Sequence, residues 1–155
     1  MTNNTQYMTQ EKMNELEEEL KKLKSEGIPQ IAKRIDEAKQ MGDLSENAEY
    51  HQAREDMAWA QSRTKEIEVI LENAEIISPK NDDNSKVNFG SNITVKTKTG
   101  KREYTIVGAQ ESDPATGKIS NESPLGQAFL GRKKGDKVVI KLPTGEQEYK
   151  ILEIK

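Results

Sequence analysis

The chain has 155 residues, 32% of them hydrophobic and 33% charged, with no cysteine and a formal net charge of −3. That composition is too polar for one large packed core and points to one or two small domains, at least one of them elongated. The absence of cysteine excludes a disulfide framework, a thiolate zinc site and a thiol nucleophile, and makes a reducing cytoplasm the expected location.

The opening MTNNTQYMTQEK has no basic segment followed by an apolar run. No later segment approaches the roughly 20 apolar residues of a membrane span, so a soluble protein, neither exported nor membrane-embedded, is expected. Charge is unevenly spread: residues 1–78 carry 17 acidic and 10 basic side chains, a net of −7, and residues 79–155 carry 10 and 14, a net of +4. An acidic first half argues against ordinary duplex DNA binding, which needs basic side chains along the phosphates.

From Thr9, an expected N-cap, Met13, Leu16, Leu20 and Leu23 recur at spacings of three and four, the narrow apolar seam of a coiled-coil helix. Gly27 and Pro29 predict a kink or short break near residues 26–29, because proline inside a helix removes a hydrogen bond. The pattern resumes at Ile31, Ile35 and Ala38 and stops at Gly42-Asp43. A second seam follows, Ala53, Met57, Ala60, Thr64, Ile67, Leu71 and Ala74, in alternating steps of four and three. Two such helices joined tightly pair as an antiparallel hairpin. Residues 1–78 are thus expected to form a coiled-coil hairpin whose arm is about 45 Å long, at about 1.5 Å per residue, with an acidic tip at residues 42–47. A dimerising coiled coil is the plainer alternative.

Residues 79–86, within SPKNDDNSK, have linker composition. Beyond them the hydrophobic period becomes two. Ile93–Thr97, Glu103–Val107, Lys137–Leu142 and Glu146–Ile154 read as strands, with Thr99-Gly100 and Thr144-Gly145 as hairpin turns. Ser123-Pro124 opens, and Gly131 closes, a short helix over Leu125–Leu130. The expected fold class is α+β, a helical hairpin followed over residues 87–155 by a small antiparallel sheet domain carrying one helix.

Asp43 and Glu46 carry the sharpest chemical reading. An Asp followed three residues later by Glu resembles a capping box, in which both side chains bind backbone N–H groups at a helix start. The same pair, two carboxylates on an exposed tip, suits a weakly held Mg²⁺, which is commonly bound by one or two carboxylates plus waters and phosphates. Both readings stand together, and the second is conditional on a partner that already holds an ion and a phosphodiester. Glu49 and Glu55 read as a solvated face. His51, the single histidine, rules out a multi-histidine metal site and reads as packed or solvated. No phosphate-cradling glycine loop or nucleophile elbow is present. Lys39 and Arg54 flank the tip and read as solvated or phosphate-contacting; Arg132-Lys133-Lys134 reads as a solvated turn, with a modest nucleic-acid contact as its alternative.

The tip GDLSENAEYHQARE (Gly42 to Glu55) closely resembles that of the bacterial GreA/GreB family of transcript cleavage factors. So do Ile31-Ala32-Lys33-Arg34, NFGSNITV (Asn88 to Val95), NESPLGQAFLGRKKGD (Asn121 to Asp136) and the closing VVIKLPTGEQEYKILEI, in the same order along nearly the whole chain. The resemblance implies a transcription elongation factor that binds RNA polymerase, inserts its coiled coil into the secondary channel and stimulates cleavage of the 3′ end of backtracked nascent RNA. It implies that Asp43 and Glu46 retain a second Mg²⁺, shared with the polymerase and not tightly bound by the factor alone, and assist the attacking water. It further implies RNA or phosphate contact by Lys39 and Arg54, and an FKBP-like second domain that docks on the channel rim through Glu122, Ser123 and Pro124. The factor itself is then a cytoplasmic monomer and not a free-standing nuclease. Three readings stand beside this one: a channel factor of the same fold that inhibits, a structural adaptor, and a prolyl isomerase, the last disfavoured because Phe89, Tyr104, Phe129 and Tyr149 are the only aromatics available to line a proline pocket.

Overall fold

The computed structural model describes residues 4–78 and 84–155. They form two compact units: Met13–Asn73, and a second made of the residues up to Lys12 together with those from Ala74 onward.

The first unit is the hairpin. Helix α1 (Gln10–Lys22) starts where Thr9 Oγ1 accepts the Lys12 N–H at 3.3 Å, as its sequence position predicts. Leu16 is buried, and Met13, Leu20 and Leu23 are half-buried on the same stripe. The expected break at residues 26–29 is instead a single wide π-helical turn, Leu23–Gly27, in which the Ile28 N–H bonds the Leu23 carbonyl. Proline has no N–H to give, and its ring crowds the carbonyl four residues back. Widening one turn to an i→i+5 register lets the helix pass Pro29 without stopping. Helix α2 (Ile28–Lys39) therefore continues directly, and Gly27 keeps ordinary helical angles.

Helix α3 (Ala48–Glu72) has 25 residues and so runs for about 37 Å. Its predicted seam holds as far as Leu71, with Ala53, Ala60 and Ile67 buried and Met57, Thr64 and Leu71 half-buried, but Ala74, expected as its last position, lies beyond the helix in a strand. Between the arms, Arg34 Nη1 meets Asp56 Oδ2 at 2.8 Å, Arg63 grips Glu19 at 2.7 and 3.0 Å, and Lys24 pairs with Glu68. The open Arg34–Asp56 and Lys24–Glu68 pairs contribute little each, so burial of the seam is the main thing that holds the arms together.

The second unit is built on a five-stranded sheet: β3 (Asn92–Thr97), β4 (Gly100–Val107), β5 (Lys118–Ser120), β6 (Lys137–Leu142) and β7 (Gly145–Ile154), in the order β5-β4-β3-β7-β6. The four strands read from the sequence are present to within three residues at each end. The sheet is mixed, however, because the unanticipated β5 joins β4 in parallel while the other pairs are antiparallel. Alternate residues Ile93, Val95, Val138, Ile140, Tyr149 and Ile151 face a core closed by Phe129 of helix α4 (Pro124–Phe129).

A further two-stranded parallel ribbon, β1 (Gln6–Met8) with β2 (Ala74–Ile76), was not anticipated. It belongs to the sheet unit, so the two ends of the segment expected as a hairpin domain over residues 1–78 fold with the second unit instead. Of the expected linker 79–86, residues 79–83 lie outside those described, and 84–86 are exposed. No described helix is long and apolar enough to cross a membrane.

Candidate functional site

The connection between α2 and α3 carries the acidic pair. Helix α2 ends at Lys39 with Gln40 as its C-cap, and Gly42 turns the chain with a φ of 127°, a region that L side chains rarely adopt. The loop then closes on itself. Asp43 Oδ1 accepts the Ser45 N–H at 3.0 Å and the Ser45 hydroxyl at 2.9 Å, an Asx turn. Those bonds, the backbone one first and the hydroxyl second, hold the Asp43 carboxyl below its usual range and keep it ionised.

Asp43 and Glu46 do not form the expected capping box. The N-cap of α3 is Asn47, whose Oδ1 accepts the Tyr50 N–H at 3.1 Å. Asp43 lies too far ahead of Ala48 to cap it and serves the local turn, while Glu46 makes no hydrogen bond or ion pair among the described residues. Capping therefore does not occupy the pair. Both side chains are exposed, and Asp43 Oδ2 has no hydrogen bond among the described residues.

Asn47 does a second job that sequence reading missed. Its Nδ2 donates to the Ala38 carbonyl at 2.6 Å, a second bond beside the one that carbonyl accepts from the Met41 N–H at 3.1 Å, while its oxygen satisfies an orphan donor at the start of α3. The signal was present, since Asn is among the best N-caps, but Asp43 four residues earlier competed for the assignment. His51 Nε2 lies 3.4 Å from the Ser45 carbonyl, and the ring is exposed, as expected.

Lys39 is the last residue of α2 and is exposed. Arg54 is exposed in the second turn of α3, with its guanidinium 5.7 Å from the centre of the Tyr50 ring. The tip thus has a cation on each helix beside two carboxylates in the loop. Oxygen donors of this kind fit a hard divalent cation such as Mg²⁺, and two exposed carboxylates alone hold it weakly. Among the described residues no group of three or more His, Asp or Glu has metal-holding geometry.

Glu122, Ser123 and Pro124 belong to the sheet unit. Ser123 caps α4 as predicted: its Oγ accepts the Gly126 N–H at 3.0 Å and donates to the Ser120 carbonyl at 2.6 Å, with Pro124 in the first turn. Glu122 and Pro124 are exposed at the start of that helix.

The N-terminal transcription elongation factor model of the GreA/GreB family matches residues 6–76, and its C-terminal counterpart matches residues 82–155. The chain belongs to the GreA/GreB family of transcription elongation factors. It is 46% identical over 151 residues to the transcription elongation factor GreA of Halalkalibacterium halodurans, covering 96% of each chain. With GreA of a Roseiflexus species it shares 41% identity over 157 residues, covering 100% of both. Among solved structures, the GreA factor homolog 1 protein of Thermus thermophilus matches at 22% identity over 98% of this chain and 99% of that one, with a TM-score of 0.45. The assignment rests on the sequence matches, which span both units of this GreA/GreB-family chain.

Proposed function

We propose that this factor binds RNA polymerase as a monomer in the cytoplasm, passes its hairpin into the secondary channel and stimulates Mg²⁺-dependent cleavage of the 3′ end of backtracked nascent RNA. The observation that carries the reading is the α2–α3 loop itself. It presents Asp43 and Glu46 uncommitted to helix capping, at the turn of a hairpin whose second helix alone runs about 37 Å.

Asp43 and Glu46 are the residues that would hold a second Mg²⁺ in company with the polymerase's own ligands. When bound there, such an ion supplies charge neutralisation at the phosphodiester and lowers the pKa of a water. The chain's own share is positional. Ser45 fixes one oxygen of Asp43 and keeps the carboxyl ionised, Asn47 fixes the loop between two helix ends, and Lys39 and Arg54 offer cations to RNA phosphates. Glu122, Ser123 and Pro124 present the contact to the channel rim. The factor is accessory rather than an enzyme in its own right, and alone it is inert toward RNA.

The deciding assay adds the protein to a stalled, backtracked polymerase complex with Mg²⁺ and follows the RNA 3′ end. Release of short 3′ fragments by wild type, abolished by Asp43→Asn with Glu46→Gln, is expected. Absence of release by wild type, or release undiminished in the double variant, would refute the proposal; the second outcome would favour an adaptor.

A further inference from the structure

Trp59, the chain's single tryptophan, lies off the apolar seam of α3 and is 62% exposed. Seam packing leaves it out, since Met57 and Ala60 already occupy the stripe that meets the other arm. Beside it runs a groove of about 500 Å³ along α1 and the π-helical turn. Leu23 and Gly27 of that turn line it.

The other lining groups are mostly carboxylates: Glu15, Glu18 and Glu26, with Lys22 the one cation, and Glu19, which is gripped by Arg63. Glu18 and Glu26 form no ion pair among the described residues. An indole face rimmed by carboxylates suits a guanidinium, which stacks on the ring while its N–H fork reaches the oxygens. The same rim repels phosphates and so disfavours nucleic acid. Tryptophan is also among the side chains that most often dominate the binding energy of protein interfaces.

We propose that this groove is a docking surface for an arginine-bearing protein segment. Resting on the function proposed above, the segment belongs to the polymerase wall past which the hairpin passes. The groove would then set affinity without touching the chemistry at the tip.

The test compares wild type, Trp59→Ala and Glu18→Gln/Glu26→Gln in binding to core RNA polymerase over a range of salt, and in cleavage at saturating factor. Trp59→Ala is expected to weaken binding about tenfold or more while leaving saturated cleavage intact. The double glutamine variant should weaken binding at low salt and flatten its salt dependence. Unchanged affinity in Trp59→Ala, or an unchanged salt dependence in the double variant, overturns the inference, provided thermal melts show both variants folded. Wild type that fails to bind polymerase at all overturns the underlying reading instead, and is recognisable without any variant.

Discussion

Asn47 and Ala38 join the two helices at the tip: the Asn47 amide donates to the Ala38 carbonyl at 2.6 Å while its oxygen caps α3 through the Tyr50 N–H. One side chain thereby ties the end of one helix to the start of the next. Asn47→Ala removes both bonds and leaves the Tyr50 N–H to water, while the Ala38 carbonyl keeps only its bond from the Met41 N–H. Loss of an N-cap costs about 1 kcal/mol and the second hydrogen bond about as much again, so destabilisation of about 2 kcal/mol is expected in denaturant melts followed by helical circular dichroism. Cleavage stimulation should fall in parallel, because Asp43 and Glu46 sit on the loop that frays. Full stability in Asn47→Ala would show that the clasp contributes nothing.

Acid should loosen the hairpin through Asp56. Arg34 first, and Gln52 second, hold its carboxyl below the ordinary 3.8, so the folded chain binds that proton less readily than the unfolded one. The contribution is full above the unfolded value and is lost as pH falls through the lower folded value. Asp56→Asn should therefore be less stable than wild type at neutral pH, and the gap should close below about pH 4. Melts at pH 7, 4 and 2 check this; a constant gap across them contradicts it.

The helical seams were legible because coiled-coil packing is written in side-chain spacing: Leu16, Ala38, Ala53, Ala60 and Ile67 are buried as their steps of three and four require. The four long strands were legible from alternation. The π-turn was not, because Gly27 and Pro29 signal a disturbance without saying whether the helix stops or widens. Strands β1, β2 and β5 were not legible either. Each has three residues, too few for alternation to show, and each is defined by a partner distant in sequence. At the tip, Asp43 and Glu46 were found by residue type and position, but their roles in capping were misassigned because local spacing cannot choose between two nearby N-cap candidates.

Gly108 tests the ribbon. Its backbone is ordinary, at φ −70° and ψ 161°, yet a Cβ there would stand 1.7 Å from the Tyr7 carbonyl oxygen, where β1 packs. Met8 is wholly buried, Tyr7 meets Phe89 at 5.9 Å, and Thr9 bonds Glu111 at 2.7 Å through its hydroxyl. Gly108→Ala must push β1 away and forfeit those contacts, so a loss of about 2–3 kcal/mol is expected in the sheet unit. Hydrogen exchange should show β1 and β2 amides losing protection ahead of β3. Unaltered protection would mean that the strand accommodates the methyl group.

Thr64 is a seam position filled by a poor seam residue. Its hydroxyl bonds back to the Ala60 carbonyl at 2.8 Å, four residues earlier, a pattern that slightly weakens and bends helices. Thr64→Leu removes that competition, improves helix propensity by a few tenths of a kcal/mol and adds apolar surface to a half-buried stripe, for a gain of about 1 kcal/mol. A higher melting temperature is expected, with cleavage at saturating factor unchanged because the tip lies four turns of α3 away. A marked loss of stability would show that Thr64 does not face the other arm.

Ser45 separates the presence of the carboxylates from their placement. Ser45→Ala keeps Asp43, Glu46 and the Ser45 N–H bond, and deletes only the 2.9 Å hydroxyl bond to Asp43 Oδ1. Residues that orient a metal-binding carboxylate typically affect metal affinity 10- to 100-fold, and with one of two bonds retained the lower end, about tenfold, is expected. The loss should appear as a higher Mg²⁺ requirement for RNA cleavage, with much of the rate recovered at high Mg²⁺, whereas Asp43→Asn should not recover. Polymerase binding should be equal in both variants, since neither residue is among the groups proposed to dock. If Ser45→Ala showed wild-type Mg²⁺ dependence, Asp43 would act without the turn that holds it, and exposure at the tip alone would account for its role.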